Sequence, residues 1–242
     1  MKIVEHLSSV NWKSSILSMA GVILGAMLAA ADFHVSLPVA VLLILTVLCL
    51  QIIPNVIPGI ICAFATVYLS YGTLFLLDSF IMLLLGYLVY RFVSHHSSES
   101  GLYRNGLVST LSSIAIYGVV PVFGTYYVCT HSFGSTMLFL PAAAIGVLSL
   151  AAVNGDYLLS VRDRVINTFW VSAGWIAMTV FASLRIFDPW HFLYILVLPV
   201  YIWLLVDIWR KQGESSRYDM NLSFAVLAFA VLSGLGFMIY LF

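Results

Sequence analysis

The run STMLFLPAAAIGVLSLAAVN, residues 135–154, carries no charged side chain in twenty positions. Twenty residues in α conformation rise about 30 Å, the thickness of a bilayer's hydrocarbon core. Proline near its start and a strong excess of Ala and Leu suit one uninterrupted helix that asks nothing of water. Comparable runs lie on both sides of it, at 14–31, 37–54, 56–72, 74–93 and 106–129 before it and at 165–186, 190–209 and 221–241 after it. The sequence therefore predicts an all-α polytopic membrane protein of about nine crossings, with residues 1–242 forming a single transmembrane domain. The third run is the shortest, opens on Pro54 and Pro58, and is parted from the fourth only by Ser70-Tyr71-Gly72-Thr73. A tilted or half-buried helix is the alternative there.

Composition agrees with the runs. Hydrophobic residues make up 62% of the chain and charged residues 8%, against about 25% charged in a soluble domain. A surface so poor in charge has to face lipid. A membrane β-barrel would show alternation in segments of about ten residues, whereas these runs are twice as long and do not alternate. Net charge is zero, and no basic patch offers a nucleic acid a footprint. Cys49, Cys62 and Cys129 lie in or at the ends of apolar runs and read as small packing residues, not as a disulfide framework. The first run is followed by further runs and lacks a small-residue cleavage site, so it reads as a span, not as a leader.

Basic residues set the orientation, because short cytoplasmic loops collect Lys and Arg. With nine crossings and the N-terminus inside, Lys2, Lys13, Arg91, Arg104, Arg162, Arg164, Arg210, Lys211 and Arg217 fall on the cytoplasmic side, leaving Arg185 alone of the ten on the other. The expected topology is N-terminus in and C-terminus out, in a bacterial inner membrane. The segments His95 to Gly101, Asn154 to Arg164 and Arg210 to Asp219 read as loops.

Inside the runs, Gly21, Gly25 and Ala29 form a stripe of small residues that lets helix backbones approach. Gly118 and Pro121 predict a kink in the fifth run. Asp78 and Asp207 sit in apolar runs close enough to their ends to reach an interface. The adjacent His95 and His96 have no Cys or carboxylate cluster in sequence to complete a metal site. Trp12, Trp170, Trp190 and Trp209 read as belt residues.

One constellation points to a family. Gly124-Thr125-Tyr126-Tyr127-Val128 closes the fifth run; Val153-Asn154-Gly155-Asp156 closes the sixth, and Arg162-Asp163-Arg164 follows. Trp12-Lys13-Ser14 opens the first run, and Leu50-Gln51-Ile52 with Asn55 closes the second. Together these resemble the UbiA-type intramembrane prenyltransferases, most closely the 1,4-dihydroxy-2-naphthoate polyprenyltransferases of menaquinone synthesis. The resemblance implies a UbiA-like bundle, a ring of helices around an apolar cavity open at the cytoplasmic rim. It implies a diphosphate and metal rim at Asn55, Asn154, Asp156, Arg162, Asp163 and Arg164, and cavity residues Lys13, Tyr126 and Tyr127. In that family Mg²⁺ neutralises the departing diphosphate of an allylic substrate and is held by two Asp-rich motifs. Asn55 and Asn154 also read as helix-end hydrogen bonders, and Tyr126 and Tyr127 equally as interfacial anchors.

The sequence departs from the family at those motifs. Aligned through Gln51 and Asn55, the first motif's aspartates become Pro58, Gly59 and Cys62, and no acidic residue lies between Asp32 and Asp78. In the second motif, alignment on Asn154 puts Leu158 and Arg162 at the aspartate positions; alignment on Asp163 and Arg164 leaves Leu159 at the first. The expectation is a degenerate member, a pseudoenzyme that binds an isoprenoid or quinone lipid or a membrane-protein partner, with no assigned catalytic residue and no cofactor. An active divergent aromatic polyprenyltransferase is the alternative, and only that one requires Mg²⁺. An unrelated nine-helix transporter is a third reading, for which Pro54 to Pro58 is the only candidate broken helix.

Overall fold

A computed structural model of the chain describes residues 12–32, 111, 114–130, 132, 134–158, 160–185, 188–211 and 217–239. These hold six α-helices and no strand. They are α1 (Trp12–Asp32), α2 (Val120–Thr130), α3 (Phe139–Val153), α4 (Val161–Leu184), α5 (Leu198–Arg210) and α6 (Tyr218–Met238). A π-helical turn, Ile114–Val119, leads into α2, and 3₁₀ turns at Thr136–Leu138 and Pro189–Val197 lead into α3 and α5. A fourth short turn, Asn154–Tyr157, closes α3.

Four helical stretches are long and apolar enough to cross a membrane: Thr136–Val153, Val161–Leu184, Pro189–Arg210 and Tyr218–Met238. Ile16–Asp32 and Ile114–Tyr127 are shorter apolar helices. The chain thus has the helices of a membrane protein. The runs expected at 37–54, 56–72 and 74–93, with Asn55, Asp78, His95 and His96, lie outside the described residues.

Two boundaries differ from the sequence expectation, for one reason. Asn154 to Arg164 reads as a loop by composition, yet α4 begins at Val161, capped by the Ser160 hydroxyl, which accepts from the Asp163 N–H at 3.1 Å. Likewise α6 starts at Tyr218, with Asp219 in its first turn. Capping hydroxyls and first-turn carboxylates satisfy the open N–H groups and positive dipole of a helix start. The charged residues at both places open helices.

Side-chain contacts fix the helix directions. Gly21 faces Tyr117 and Pro121, and Gly25 faces Val122 and Thr125, so α1 and α2 run parallel. Lys13 meets Asp219 and Met27 meets Gly234, so α6 runs with α1. Asn167 reaches Ala151 while Gly174 meets Ala144, so α4 opposes α3. Trp209 reaches Thr168 and Tyr194 reaches Thr179, so α5 opposes α4. The bundle therefore has a Lys13 end and an Asp32 end.

Small residues draw the central helices together. A Cβ on Gly25 would stand 2.5 Å from the Val122 carbonyl oxygen, and one on Gly21 2.8 Å from that of Tyr117. The Pro121 ring packs on the same face, 2.6 Å from where a Gly21 Cβ would stand. Gly118 lies against Ala142 and Gly146 against Ile114 in the same manner. The helices placed first, sixth and ninth by sequence (α1, α3 and α6) touch one another directly, with 67% of the Thr136–Val153 stretch buried. Leu17, Leu24, Leu148, Phe229 and Val226 fill the space between them.

Candidate functional site

Two polar constellations lie at opposite ends of this apolar bundle. At the Lys13 end, Asn167 and Tyr218 are both buried. The Asn167 amide donates to the Ala151 carbonyl at 2.7 Å, and its side-chain oxygen accepts from the Tyr218 hydroxyl at 2.8 Å. Next to Tyr218, Asp219 is buried and ion-paired with Lys13 of α1. Gly155 makes this possible: a Cβ there would stand 2.9 Å from the Asp219 Cβ and 3.1 Å from the Tyr218 ring. The turn after α3 therefore lies flat on the start of α6, and four helices share one polar seam.

Arg164 enters the same end from α4. It is buried, and its guanidinium stacks over the Trp209 ring at 5.2 Å. Its Nε has no hydrogen-bond partner among the described residues. Trp190 and Trp209 stand exposed near the two ends of Pro189–Arg210, where belt residues belong. Asp207 pairs with Lys211 one turn on, at 2.9 Å, near the end of α5 as expected.

At the Asp32 end, the Asp32 carboxylate receives Arg185 of α4 through both oxygens, each at 2.9 Å, and the Tyr126 hydroxyl of α2 at 2.7 Å. The guanidinium lies 5.3 Å from the Phe181 ring centre and 5.9 Å from that of Phe237. His191 stacks against the same Phe237, at 4.5 Å between ring centres.

The sequence-predicted residues divide between these places. Lys13 joins the Asn167–Tyr218–Asp219 network through Asp219, and Asn154 and Arg164 lie at the same end, in the turn after α3 and the first turn of α4. Asn154 caps α3 through its backbone, donating to the Leu150 carbonyl. Arg162 is exposed in the first turn of α4. Asp163 is engaged in its own helix start, its carboxylate accepting from the Ser160 hydroxyl at 2.5 Å. Asp156 lies in the Asn154–Tyr157 turn. Tyr126 is buried at the opposite end and does not meet Lys13; the length of α1, about 28 Å over nineteen residues, separates them. Tyr127 is half-buried beside it. Asn55 lies outside the described residues.

No family model, no curated protein and no solved structure matches the chain.

The residues that sequence reasoning passed over are Asp32, Asn167, Arg185, Tyr218 and Asp219. A signal existed for one pair: Arg185 was the single basic residue assigned to its side, and Asp32 is the acid that ends the first run on that side. No comparable signal marks Asn167, whose partners come from α3 and α6.

The geometry also bears on metal binding. Among the described residues no three His, Cys, Asp or Glu side chains gather, and the Asp163 and Asp219 carboxylates are turned to Ser160 and Lys13. Mg²⁺ asks for several oxygen ligands in octahedral array. The described residues do not fit that demand.

Proposed function

We propose that this protein is a membrane-embedded helical scaffold that binds an isoprenoid or quinone lipid, related in sequence motif to the UbiA-type prenyltransferases but not transferring prenyl groups by the magnesium-dependent route. The observation that carries the reading is the engagement of Asp163 and Asp219 at the Lys13 end, one with a capping serine and the other with a lysine. A carboxylate committed to a cation or a helix cap is a poor ligand for a second cation. The departing diphosphate of an allylic substrate, inside an apolar bundle, is too costly to leave without such compensation. The polar seam of Lys13, Asn167, Tyr218 and Arg164 suits the head of an amphiphile whose tail lies along the helices.

The test has two arms. Purified protein extracted with organic solvent should yield an isoprenoid or quinone lipid enriched near one per chain over a control membrane protein from the same host. Incubated with Mg²⁺, 1,4-dihydroxy-2-naphthoate and a polyprenyl diphosphate, it should give no more product than its Asp156→Ala, Asp163→Ala double variant. Turnover in the parent that disappears in the double variant would establish an active enzyme instead.

A further inference from the structure

The seam between α4, the Pro189–Val197 turn with α5, and α6 contains four aromatic rings from three chain segments. Trp175 stands 5.4 Å from Tyr194, 5.3 Å from Tyr201 and 5.0 Å from Phe229, centre to centre, edge to face with the last two and tilted against Tyr194. Such packing is ordinary for an apolar core. The polar atoms on the rings are not. Tyr194 donates to the Thr179 hydroxyl at 3.0 Å, but the Tyr201 hydroxyl and the Trp175 indole N–H, both buried, have no hydrogen-bond partner among the described residues. Tyr201 as a whole is 1% exposed.

A buried donor left unmade costs about 1–3 kcal/mol, and a bilayer interior supplies no water to relieve it. Phenylalanine at 201 would avoid that cost and fill nearly the same space, and a purely apolar side chain at 175 would avoid it too. Two adjacent rings that each keep a buried donor therefore suit an acceptor. We infer that this aromatic seam binds a lipid-soluble ring compound through its carbonyl oxygen, with Tyr201 and Trp175 as the donors. A carbonyl has two lone pairs for two donors and no hydrogen of its own to place, whereas a water molecule would bring two hydrogens that need acceptors. The Trp175, Tyr194 and Phe229 rings pack on one another, so the flat body of the ligand would lie on the lipid side, beside the partly buried edge of Trp175. Access is from the bilayer: Trp175 is only partly buried, and Ile176 next to it is exposed. The site lies near the middle of α4, about 12 Å along the helix from Asn167, so it is separate from the Lys13 end and independent of the prenyltransferase resemblance.

The test uses 9-fluorenone, a flat aromatic ketone, and fluorene, the same ring system without the carbonyl, added to the full-length protein in lipid nanodiscs. Fluorenone should bind more tightly than fluorene, and its carbonyl stretch in the infrared should fall when protein is present. Tyr201→Phe, which removes one oxygen from the core, should weaken fluorenone binding about tenfold, leave fluorene unchanged and return part of the infrared shift. Trp175→Phe should repeat that pattern. Equal affinities for the two compounds, or a fluorenone affinity and carbonyl frequency unmoved in Tyr201→Phe, would overturn the site. A parent that binds fluorenone while carrying no extracted lipid would leave this site standing and remove the lipid-scaffold reading, so the two fail separately.

Discussion

Asp32 and Arg185, 153 residues apart in sequence, bind each other through two oxygen–nitrogen pairs at 2.9 Å. The pair joins the end of α1 to the end of α4, and the Tyr126 hydroxyl brings in α2. Both side chains are about a quarter exposed, so solvent screens the pair and its worth is well below that of a buried one. Asp32→Asn should destabilise the protein by about 1–2 kcal/mol, since hydrogen bonds to a charged group are lost while the shape is kept. Arg185→Lys should cost a similar amount, because an ammonium cannot form two parallel bonds. Denaturation in mixed micelles of increasing SDS checks both. The double variant should cost less than the sum of the singles; strict additivity would mean that the two residues do not interact.

Glycine positions give a contrast that sequence alone does not. Gly25→Ala places a methyl group against the Val122 carbonyl, and neither backbone can yield cheaply. The expected cost is about 2 kcal/mol or more, as for overpacking of a tight core. Gly124→Ala meets nothing within 4 Å. It lies inside α2, where alanine is favoured over glycine by about 0.5–1 kcal/mol, so this change should be neutral or stabilising. The same denaturation assay should move in opposite directions for the two variants. Equal losses would mean that α1 and α2 do not meet at Gly25.

The helices were legible because lipid-facing length is written locally, in runs of apolar residues that need no partner to be recognised. So was the approach of α1 to a neighbour, since Gly21 and Gly25 fall on one face at helical spacing. The polar contacts were not. By composition Asp219 reads as a loop residue, yet in the first turn of α6 it is favoured by the helix dipole and buried against Lys13. Tyr126 and Lys13 were grouped by family resemblance, but the ends of α1 keep them apart. Which charges meet is decided by the packing of helices distant in sequence, and a single sequence does not carry that arrangement in any local pattern.

Tyr218→Phe tests the buried seam. It removes the hydroxyl that serves the Asn167 oxygen at 2.8 Å and leaves that acceptor buried without its donor. The expected loss is about 1–3 kcal/mol. Asn167→Leu in the Tyr218→Phe background removes the orphan in turn, although the Ala151 carbonyl then loses the Asn167 donor. That double variant should therefore lie close to the single one instead of adding a second full penalty, and a large further loss would show that the two side chains act independently.

Capping separates a structural role for Asp163 from a ligand-binding one. Ser160→Ala and Asp163→Asn each weaken the start of α4, through the 3.1 Å bond to the Asp163 N–H and the 2.5 Å bond between the side chains. Each should cost about 1 kcal/mol, the usual value of a helix cap. Neither should change the amount of lipid extracted per folded chain. A drop in bound lipid for Asp163→Asn but not for Ser160→Ala would give the carboxylate a direct part in binding.

The last prediction concerns how the bundle lies in its membrane. Of ten basic residues, nine are assigned to one side when nine crossings are counted, and the proposed orientation puts that side in the cytoplasm. α1 and α2 run parallel, which a membrane-spanning chain allows only with an odd number of crossings between them, in either orientation. The described helices also place Lys13, Arg164, Arg210 and Lys211 at one end and Arg185 at the other, by the directions of α1, α4 and α5. Reporter pairs fused after Gly213 and after Phe242 should accordingly report opposite sides, the first cytoplasmic. α6 alone lies between these points, so the same side for both would mean that Tyr218–Met238 does not cross. Opposite sides in the reverse order would keep the crossing and invert the orientation, and Arg185 would then mark the cytoplasmic end. Moving two lysines to the Arg185 end should reduce correct insertion, because the positive-inside bias acts through residues close to the helix ends. Unchanged insertion would leave the charge split without influence on this chain.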